Sequence, residues 1–481
     1  MKKEICDKTM KFEDCELAIL RTAVDKAEDI QGRKVVNSPE IKRIITIVEN
    51  FIRNKKLICY GGTAINNILP KKDQFYNKDI EIPDYDFYSS NALHDAKELA
   101  DIYVKEGFIE VEAKSGQHFG TFKVFVNFIP IADITLLPKE LFNAIKTEAI
   151  KVSGILYAPP NLLRMAMYLE LSRPAGDVSR WEKVLKRLIL LNNSYPLTAS
   201  QCSHIDFQRK MGNNDNVNKI YDMVQQTLID QGVVFFGGYA ISIYSNYMPV
   251  QLRHKLLKNP DFDVLSEEPT VTAQIVVERL RDIGIKNVKI IKRPSIGELV
   301  ATHYEIRVGS DTIAFIYEPL ACHSYNIIKE NGETIKIATI DTMLSFYLAF
   351  LYSNRPYYDK DRILCMAKYL FEVQEKNRLA QKGVLRRFSI NCIGHQETVE
   401  EMRAEKADKF KELRNKKNTE EYDLWFLRYR PSDSKSINKM DKHDKDKDND
   451  NKEDIKEQHN KLQTKHKRKK NKKTKKFGFF F

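Results

Sequence analysis

Two Gly-Gly turns, each followed at nearly the same distance by an Asp-x-Asp pair, divide this 481-residue chain into two similar halves. From the second glycine to the first aspartate the distance is 22 residues in the first half (Gly62 to Asp84) and 23 in the second (Gly238 to Asp261). A repeat of order and spacing on this scale indicates a duplicated domain. We therefore expect two related lobes in tandem, each built around the same motif.

A third acidic residue distinguishes the two copies. When residues 122–126 are aligned with residues 304–308, at an offset of 182, residues 131–134 fall on residues 313–316. Asp133 is then aligned with Phe315, so the second copy lacks this carboxylate. We predict a catalytically degenerate second lobe, in which Asp261 and Asp263 are remnants or hydrogen-bonding partners at the surface.

The three aspartates of the first copy have the pattern of a cation site. On a strand, Asp84 and Asp86 point to the same face, because successive side chains alternate between the two sides. Two like charges in one place are costly unless cations join them, and Asp133 from a neighbouring strand adds a further oxygen ligand suited to Mg²⁺ or Mn²⁺. Two such ions, about 3.5–4 Å apart, activate an attacking hydroxyl and stabilise a leaving pyrophosphate. We predict that all three aspartates are both catalytic and metal-binding.

The Gly-Gly turn of the first copy has the pattern of a phosphate cradle. Gly61, Gly62 and Thr63 follow an apolar, strand-like run and open a helix-like segment, residues 64–69. Glycines leave the backbone N–H groups at a helix N-terminus open to a triphosphate. A lone Gly-Gly turn is usually only a turn, and a lone Asp-x-Asp pair on a strand is often a solvated edge. The combination, in this order and with Asp133, predicts a nucleotide-binding catalytic site.

The order Gly-Gly, Asp-x-Asp, Asp is that of the nucleotidyltransferase superfamily. At finer grain the chain resembles the catalytic poly(A) polymerases of large cytoplasmic DNA viruses, the poxvirus, African swine fever virus and giant virus group. The resemblance covers about residues 40 to 375, including the degenerate second lobe. The residues that carry it are Tyr60-Gly61-Gly62-Thr63-Ala64-Ile65, Pro83-Asp84-Tyr85-Asp86-Phe87, Ala96-Lys97-Glu98-Leu99-Ala100-Asp101, Leu171-Ser172-Arg173-Pro174 and Asp177-Val178-Ser179-Arg180-Trp181-Glu182-Lys183-Val184.

The resemblance implies template-independent polyadenylation of mRNA 3′ ends, in which an RNA 3′-hydroxyl attacks the α-phosphorus of ATP and releases pyrophosphate. ATP is then the substrate, two Mg²⁺ or Mn²⁺ ions are the cofactors, and an RNA 3′ end is the partner. The resemblance leaves open a homodimer or a separate viral processivity subunit as a further partner. It implies the host cytoplasm, in a viral factory, as the location, with packaging in the virion as a further expectation.

Two other functions remain open on the sequence. One is a different RNA nucleotidyltransferase, such as a terminal uridylyltransferase or an oligoadenylate synthetase. The other is a non-catalytic RNA-binding or processivity subunit, against which Asp133 argues. The 22 residues between Gly62 and Asp84 exceed the usual superfamily spacing, so we expect residues 71–82 to be an inserted loop near the site.

The duplication serves as an internal control for the helix that follows the first lobe. Arg173, Asp177 and Arg180 match Arg355, Asp359 and Arg362 at the offset of 182. Because both copies share them, we predict mainly a network at a turn and helix start, with contacts to ATP as the alternative. Lys183 instead falls on Cys365. Since related polymerases use basic side chains from this helix, Lys183 is a candidate ligand of the triphosphate; a solvated helix face is the alternative.

Composition limits the class of protein. With 42% hydrophobic residues, the chain can bury more than one core. No apolar stretch approaches the ~18 residues of a membrane helix, and no signal-like segment opens the chain, so we expect neither membrane nor secretion. The seven cysteines form no Cys-x-x-Cys and no cluster with histidine at zinc spacing. We predict that they are reduced, cytosolic thiols.

The net charge of +13 is concentrated at the end of the chain. Residues 432–481 hold 17 Lys or Arg against 9 Asp or Glu and have few apolar residues, which predicts a disordered tail. The tail either holds RNA phosphates by counterion release or serves as a solubilising or address-like segment.

The predicted fold class is α/β (α+β), with tandem nucleotidyltransferase-like lobes, each a small mixed sheet flanked by helices. Apolar spacing predicts helices over residues 41–52 and 91–105 and strands over residues 108–112, 121–126 and 130–136 in the first lobe. The charged helical segment, residues 397–425, is either solvated or a partner-binding arm. The predicted domains are an N-terminal segment (1–38), a catalytic lobe with a helical extension (39–205), a degenerate lobe (206–390), a charged helical region (391–431) and the tail (432–481).

Overall fold

The computed structural model describes residues 5–6, 9–200, 202, 205–209, 211–212, 216–248 and 261–432. The tail that the sequence predicts to be disordered lies outside the described residues from residue 433 on. Within the described residues, no helix combines the length and the apolar character needed to cross a membrane.

The first lobe contains one mixed sheet with helices packed on it. In its eight-stranded sheet the strand order is β16-β3-β4-β5-β2-β1-β7-β6, and the pairs β2/β5 and β1/β7 are parallel. The elements are α1 (Phe12–Val36), α2 (Pro39–Lys55), β1 (Ile58–Cys59), α3 (Gly61–Ile68), β2 (Tyr85–Ser89), α4 (Ala92–Lys105), β3 (Val111–Ser115), β4 (Thr121–Val126), β5 (Ile129–Leu136), α5 (Lys139–Thr147), β6 (Ile150–Val152), β7 (Ile155–Tyr157), α6 (Pro160–Leu171), α7 (Trp181–Ser194) and, from the end of the chain, β16 (Arg428–Tyr429).

The second lobe repeats this arrangement. Its eight-stranded sheet has the order β10-β11-β12-β9-β8-β14-β13-β15, with β9/β12 and β8/β14 parallel. The elements are α8 (Val217–Asp230), β8 (Val234–Phe235), α9 (Gly238–Tyr244), β9 (Phe262–Leu265), α10 (Pro269–Asp282), β10 (Val288–Arg293), β11 (His303–Val308), β12 (Asp311–Tyr317), β13 (His323–Glu330), β14 (Glu333–Ala338), α11 (Ile340–Phe350), α12 (Lys360–Lys376), β15 (Cys392–Ile393), α13 (Val399–Leu413) and α14 (Glu420–Phe426).

The strand registers confirm the duplication residue by residue. Asp133 lies opposite Asp86 on β2 and opposite Lys123 on β4. At the equivalent point of the second sheet, Phe315 lies opposite Asp263 on β9 and Glu305 on β11. The alignment of Asp133 with Phe315 is therefore correct, and the predicted class of tandem mixed-sheet lobes is confirmed.

Side-chain alternation determines which face of the first sheet is open. In β4, Phe122 and Val124 are buried, whereas Lys123 is only partly covered. In β2, Tyr85 and Phe87 are buried and Asp86 points to the other side. One face thus joins the core with α2 and α4, and the opposite face carries the polar residues of the motif.

The two lobes are joined through backbone and ionic contacts. The Ser324 N–H of β13 donates to the Ser172 carbonyl, at 2.8 Å, just after α6. Arg355 and Lys360 of the second lobe lie 3.4 Å and 3.5 Å from the carboxylates of Glu140 and Glu148. These contacts set the second lobe beside the helices that follow the first sheet.

The charged helical region returns to the first lobe. Asp423 of α14 lies 2.6 Å from Lys97 of α4, and β16 pairs antiparallel with β3. The end of the region therefore packs on the first lobe, while most residues of α13 are exposed, as expected of a solvated helix. The high charge of the region gave no indication that Leu427 and Tyr429, which follow its last helix, pack against the core.

The prediction that all seven cysteines are free thiols is wrong. Three disulfides join Cys6 to Cys15, Cys202 to Cys365 and Cys322 to Cys392, with Cα atoms 5.3, 5.5 and 5.2 Å apart, and the remaining cysteine, Cys59, is buried as a free thiol. Two of these pairs are separated by 163 and 70 residues. Folding alone brings them together, so no local spacing could indicate them.

Candidate active site of the first lobe

The three predicted aspartates converge on the open face of the first sheet. Asp86 and Asp133 are paired residues on adjacent parallel strands, and Asp84 immediately precedes β2 on the same side. Asp84 is exposed, whereas Asp86 and Asp133 are half-buried. The structure thus brings Asp86 and Asp133 together on adjacent strands as expected, whereas Asp84 lies just before β2 rather than on it.

Burial and the neighbouring carboxylates raise the pKa values of two aspartates in this cluster. The pKa of Asp86 is raised to about 7 by burial and by the charges of Asp84 and Asp133. Burial, followed by the charge of Asp133, also raises the pKa of Asp84. Lys123 partly offsets both shifts, and its ammonium group contacts the Asp133 carboxylate. The cluster therefore has an excess of negative charge that favours a cation.

The donor set suits a hard divalent cation, since all three side chains offer carboxylate oxygens. As the side chains stand, no group of three or more His, Cys, Asp or Glu residues in the described part of the chain is assembled as a metal cage. Asp133 is held instead by an ion pair with Lys123. A cation that binds Asp133 through Oδ2 would displace the Lys123 ammonium group from that oxygen.

The Gly-Gly turn is fastened directly to the aspartate strand. The Tyr60 N–H donates to the Asp86 carbonyl at 2.9 Å, and the Thr63 hydroxyl donates to the Asp84 carbonyl at 2.6 Å. Gly61 has φ of +70°, and a Cβ there would lie 2.5 Å from Asp86 Oδ2. Glycine is therefore required at this position both by the backbone angle and by the carboxylate.

The second glycine faces a basic side chain that the sequence argument missed. A Cβ on Gly62 would lie 2.9 Å from Arg187 Nη1 and 2.5 Å from the Tyr76 hydroxyl oxygen. Arg187 donates to that hydroxyl at 2.7 Å, and its guanidinium lies 4.8 Å from the centre of the Phe75 ring. Phe75 and Tyr76 belong to the segment predicted as an inserted loop, which the structure indeed places beside the site.

Arg187 lies on α7, one turn after the predicted candidate Lys183. The Lys183 side chain is exposed, whereas the Arg187 side chain is half-buried at the Gly-Gly turn. The helix was therefore identified correctly, but Arg187 is the basic residue that approaches Gly62. The four-residue spacing from Lys183 was the signal that could have indicated it, because residues i and i+4 share a helix face.

Two of the shared residues after α6, Asp177 and Arg180, form the local contacts expected at a turn and helix start. Asp177 accepts a hydrogen bond from the Ser179 N–H at 3.2 Å, and Asp359 accepts one from the Arg362 N–H at 2.9 Å, where α12 begins. Arg180 forms an ion pair with Glu170 at 3.1 Å. Both copies thus use the aspartate to cap a turn or helix start.

The equivalent position in the second lobe is filled by an arginine. Arg209 Nη2 lies 2.5 Å from Asp261 and 2.9 Å from Asp263, and its guanidinium lies 4.7 Å from the centre of the Phe315 ring. Although burial lowers the pKa of Arg209, the charges of Asp261 and Asp263 raise it further, so this cation is permanent. Asp261 is buried rather than at the surface, which corrects the prediction for this pair. Phe315 is fully buried, as expected for a lobe whose cation position has closed.

Comparison with known proteins gives the same assignment for the region that carries the motif. Residues 46–177 match the family described as poly(A) polymerase catalytic subunit. An African swine fever virus protein is 35% identical over 180 residues, which are 36% of this chain and 38% of that protein. A protein of Acanthamoeba polyphaga mimivirus is 33% identical over 185 residues, 37% of this chain and 30% of that protein. Both are named "Putative poly(A) polymerase catalytic subunit".

The aligned part thus spans less than two fifths of the length of these relatives. The solved structure of the Megavirus polyadenylate synthase is similar over 92% of this chain and 91% of that chain, with a TM-score of 0.74 and 19% sequence identity. The likeness therefore extends to both lobes at the level of the fold. These matches confirm the predicted resemblance to the poly(A) polymerases of large DNA viruses.

Proposed function

We propose that the first lobe transfers AMP from ATP to the 3′-hydroxyl of an RNA, releases pyrophosphate and repeats the step without a template. The observation that carries this proposal is the convergence of Asp84, Asp86 and Asp133 beside the Gly61-Gly62 turn. A carboxylate cluster next to open backbone N–H groups suits a reaction in which charge moves from an attacking oxygen to a leaving pyrophosphate. The match over residues 46–177 supports the same reaction.

Asp84, Asp86 and Asp133 would hold divalent cations, Mg²⁺ or Mn²⁺, and we propose two of them. The raised pKa values of Asp84 and Asp86 support this, since they reflect burial of the carboxylates first and then the negative charge of the neighbouring aspartates, which Lys123 only partly offsets. Cations bound there lower the pKa of the RNA hydroxyl and neutralise the charge that develops on pyrophosphate. Lys123 holds the Asp133 carboxylate in place by an ion pair in the free protein.

The backbone of the Gly-Gly turn, together with Arg187 beside Gly62, would bind the triphosphate. Gly61 and Gly62 begin α3, so their N–H groups lack partners within the helix and point toward an anion placed there. Arg187 adds a guanidinium at Gly62, where it can form charge-assisted hydrogen bonds with phosphate oxygens. Lys183 remains a second candidate, one turn away and closer to solvent.

The second lobe would support the first without chemistry of its own. Arg209 provides a fixed cation where the first lobe would take a divalent one. Phe315 removes the third carboxylate and packs into the core. We propose that this lobe scaffolds the catalytic lobe and widens the face available to RNA.

The proposal is tested by offering the full chain a primer RNA, Mg²⁺ or Mn²⁺ and one nucleoside triphosphate at a time. We expect long extension with ATP and little with UTP, CTP or GTP. Preferential extension with UTP would support a terminal uridylyltransferase instead. Absence of extension with any nucleotide, by protein that binds the RNA, would support a non-catalytic processivity subunit.

Exchanging Arg187 for glutamine should weaken ATP binding more than the matched change at Lys183. Because a charged hydrogen bond contributes about 1.5–3 kcal/mol, we expect Arg187→Gln to raise KM for ATP by roughly 10- to 100-fold. Lys183→Gln should change KM by less than about threefold, since an exposed charge is screened by solvent. Steady-state kinetics with a fixed primer checks this. A larger rise in KM for Lys183→Gln than for Arg187→Gln would indicate that Lys183, the residue predicted from the sequence, binds the triphosphate.

Gly61→Ala should impair catalysis, whereas Gly107→Ala should not. Both glycines have positive φ, +70° and +94°, so each substitution costs about 1 kcal/mol of backbone strain. At Gly107 an added Cβ meets no atom within 4 Å, but at Gly61 it meets Asp86 Oδ2 at 2.5 Å. We therefore expect a larger loss of unfolding free energy for Gly61→Ala than for Gly107→Ala, and a loss of nucleotide addition only for Gly61→Ala. Equal activities of the two variants would show that the turn does not constrain the aspartate.

A further inference from the structure

One edge of the second sheet is open where the corresponding edge of the first is covered. In the first sheet the strand β3 is paired on its outer side with β16. In the second sheet the equivalent strand, β10, pairs with β11 and with no other described strand. An edge strand presents a row of unpaired N–H and C=O groups, which can accept another strand.

The first lobe shows what such an edge binds. The Ser115 N–H of β3 donates to the Leu427 carbonyl at 3.0 Å. On the flanking strand β16, the Nε atoms of Arg428 and Arg430 each lie 3.2 Å from Glu112 of β3. Between them, the Tyr429 hydroxyl donates to Asp101 of α4 at 2.8 Å. The occupant is thus an extended segment with the pattern basic, tyrosine, basic.

The internal duplication gives the counterpart of each contact in the second lobe. In this part of the chain the offset between the two copies is 177, as it is from Asp86 to Asp263. The same offset relates Ser89 to Ser266. Ser89 hydrogen-bonds Asp95 in the following helix, and Ser266 hydrogen-bonds Thr272 in the equivalent helix. At that offset Asp101 corresponds to Glu278 of α10, and Glu112 corresponds to Lys289 of β10.

The strand registers agree with this correspondence. Glu112 lies opposite Phe125 in the first sheet, and Lys289 lies opposite Arg307 in the second. Phe125 and Arg307 are themselves equivalent at the offset of 182. The acceptor for a tyrosine hydroxyl is therefore retained as Glu278. The partner of the two arginines has changed sign, from Glu112 to Lys289.

The space at this edge matches the occupant. A groove of about 420 Å³ lies between α10 and β10, and its lining includes Val277, Glu278 and Arg281 of α10 and Lys289, Ile290 and Ile291 of β10. Lys289 is exposed and has no ion-pair partner among the described residues. Ile290 is 37% exposed in the middle of the strand. We call this space the second-lobe groove.

We propose that the second-lobe groove binds an extended, acidic segment of a partner protein, which adds to β10 as an antiparallel strand. Its main-chain groups pair with β10, a tyrosine donates to Glu278, and acidic side chains on either side of the tyrosine pair with Lys289. The surface lies on the outer edge of the second lobe, so it is independent of the cluster around Asp86 and of the proposed catalytic function.

A protein strand fits this site better than the other available occupants. RNA offers no peptide main chain to pair with β10, and Glu278 would repel its phosphates, although Arg281 and Lys289 would attract them. The tail of the chain, residues 433–481, has an excess of Lys and Arg, the same sign of charge as Lys289 and Lys292. A segment with the first-lobe pattern, which carries two arginines, would also be repelled from the second-lobe groove by Lys289.

The test is a reciprocal exchange of charge. The probe is a fluorescent synthetic peptide of residues 420–431 in which Arg428→Glu and Arg430→Glu have been made, titrated against the full chain by fluorescence anisotropy. We expect saturable binding that Lys289→Glu weakens at least tenfold, while the same variant gains binding to the unmodified peptide. Lys286→Glu, an exposed charge just before β10, is the matched control and should leave both affinities within about twofold.

Hydrogen exchange locates the peptide and separates it from nucleic acid. The acidic peptide should slow amide exchange in residues 288–293, because an added strand takes up their outward N–H groups. No saturable binding, equal binding to the Lys289→Glu variant, or protection of residues 288–293 by an RNA oligonucleotide but not by the peptide would each overturn the proposal.

Discussion

Asp86→Asn is expected to lower the rate of nucleotide addition by on the order of 10³-fold, because a neutral amide cannot hold a cation or balance the charge that develops in the transition state. The same substitution should leave the fold intact, since it removes one charge from a crowded cluster. Single-turnover incorporation of labelled ATP into a primer RNA measures the loss. Substantial activity in a folded Asp86→Asn protein would remove this residue from the catalytic role.

The structure supplies a matched control at the equivalent position of the second lobe. Asp263 occupies the same place on β9 as Asp86 on β2, with a glycine against its carboxylate in both copies. Asp263→Asn should retain nucleotide addition within a few-fold, provided that it folds. A collapse of activity in folded Asp263→Asn would show a second working site.

The effect of Asp86 on stability has a definite sign. Its pKa in the folded protein, about 7, lies above the ordinary value of 3.8, so between these values the folded state holds a proton that the unfolded state has released. This group therefore makes the free energy of unfolding fall as the pH rises from about 4 to about 7. Without divalent cations, Asp86→Asn should remove that decline and be more stable than the wild type at pH 8. Urea unfolding at several pH values tests this.

Arg209→Met should destabilise the protein by about 3–5 kcal/mol, because it leaves two carboxylates without their buried cation. Asp261 is almost fully buried, and Arg209 bridges it to Asp263 at 2.5 Å and 2.9 Å. Changing all three residues, Arg209→Met with Asp261→Asn and Asp263→Asn, should recover much of the loss, since no buried charge then remains unpaired. Urea denaturation of the full chain measures both effects.

The control for Arg209 is an ion pair at the surface. Arg180→Met breaks the contact with Glu170, but 55% of the Arg180 side chain is exposed, so we expect a loss of at most about 1 kcal/mol. A similarly small loss for Arg209→Met would mean that the arginine does not replace a cation in the second lobe.

The duplication made the fold predictable in unusual detail, because each copy checks the other. The strand at Thr121–Val126 has the bounds that apolar spacing predicts, and His303–Val308 is its counterpart in the second lobe. Aligning the sequences of these two strands is sufficient to match Asp133 with Phe315. Strand β3 was predicted three residues too early, since Phe108 is apolar yet precedes the strand.

The residues that sequence reasoning missed are those brought in from outside the motifs. Arg209 lies 52 residues before Asp261, and Arg187 acts with Tyr76, which is 111 residues away. Tertiary packing brings such partners together, so they cannot be predicted from helical or strand periodicity in the sequence. The three disulfides and the pairing of β16 with β3 were missed for the same reason.

The most direct test of one working site and one silent copy is a crystal structure of the full chain with Mn²⁺ and a non-hydrolysable ATP analogue, in which anomalous scattering locates the metal. We predict Mn²⁺ among Asp84, Asp86 and Asp133, with the triphosphate at Gly61 and Gly62 and with Lys123 withdrawn from Asp133. The guanidinium of Arg209 should remain between Asp261 and Asp263, without metal. Manganese at Asp261 and Asp263, or its absence from the first cluster when the analogue is bound, would contradict the account.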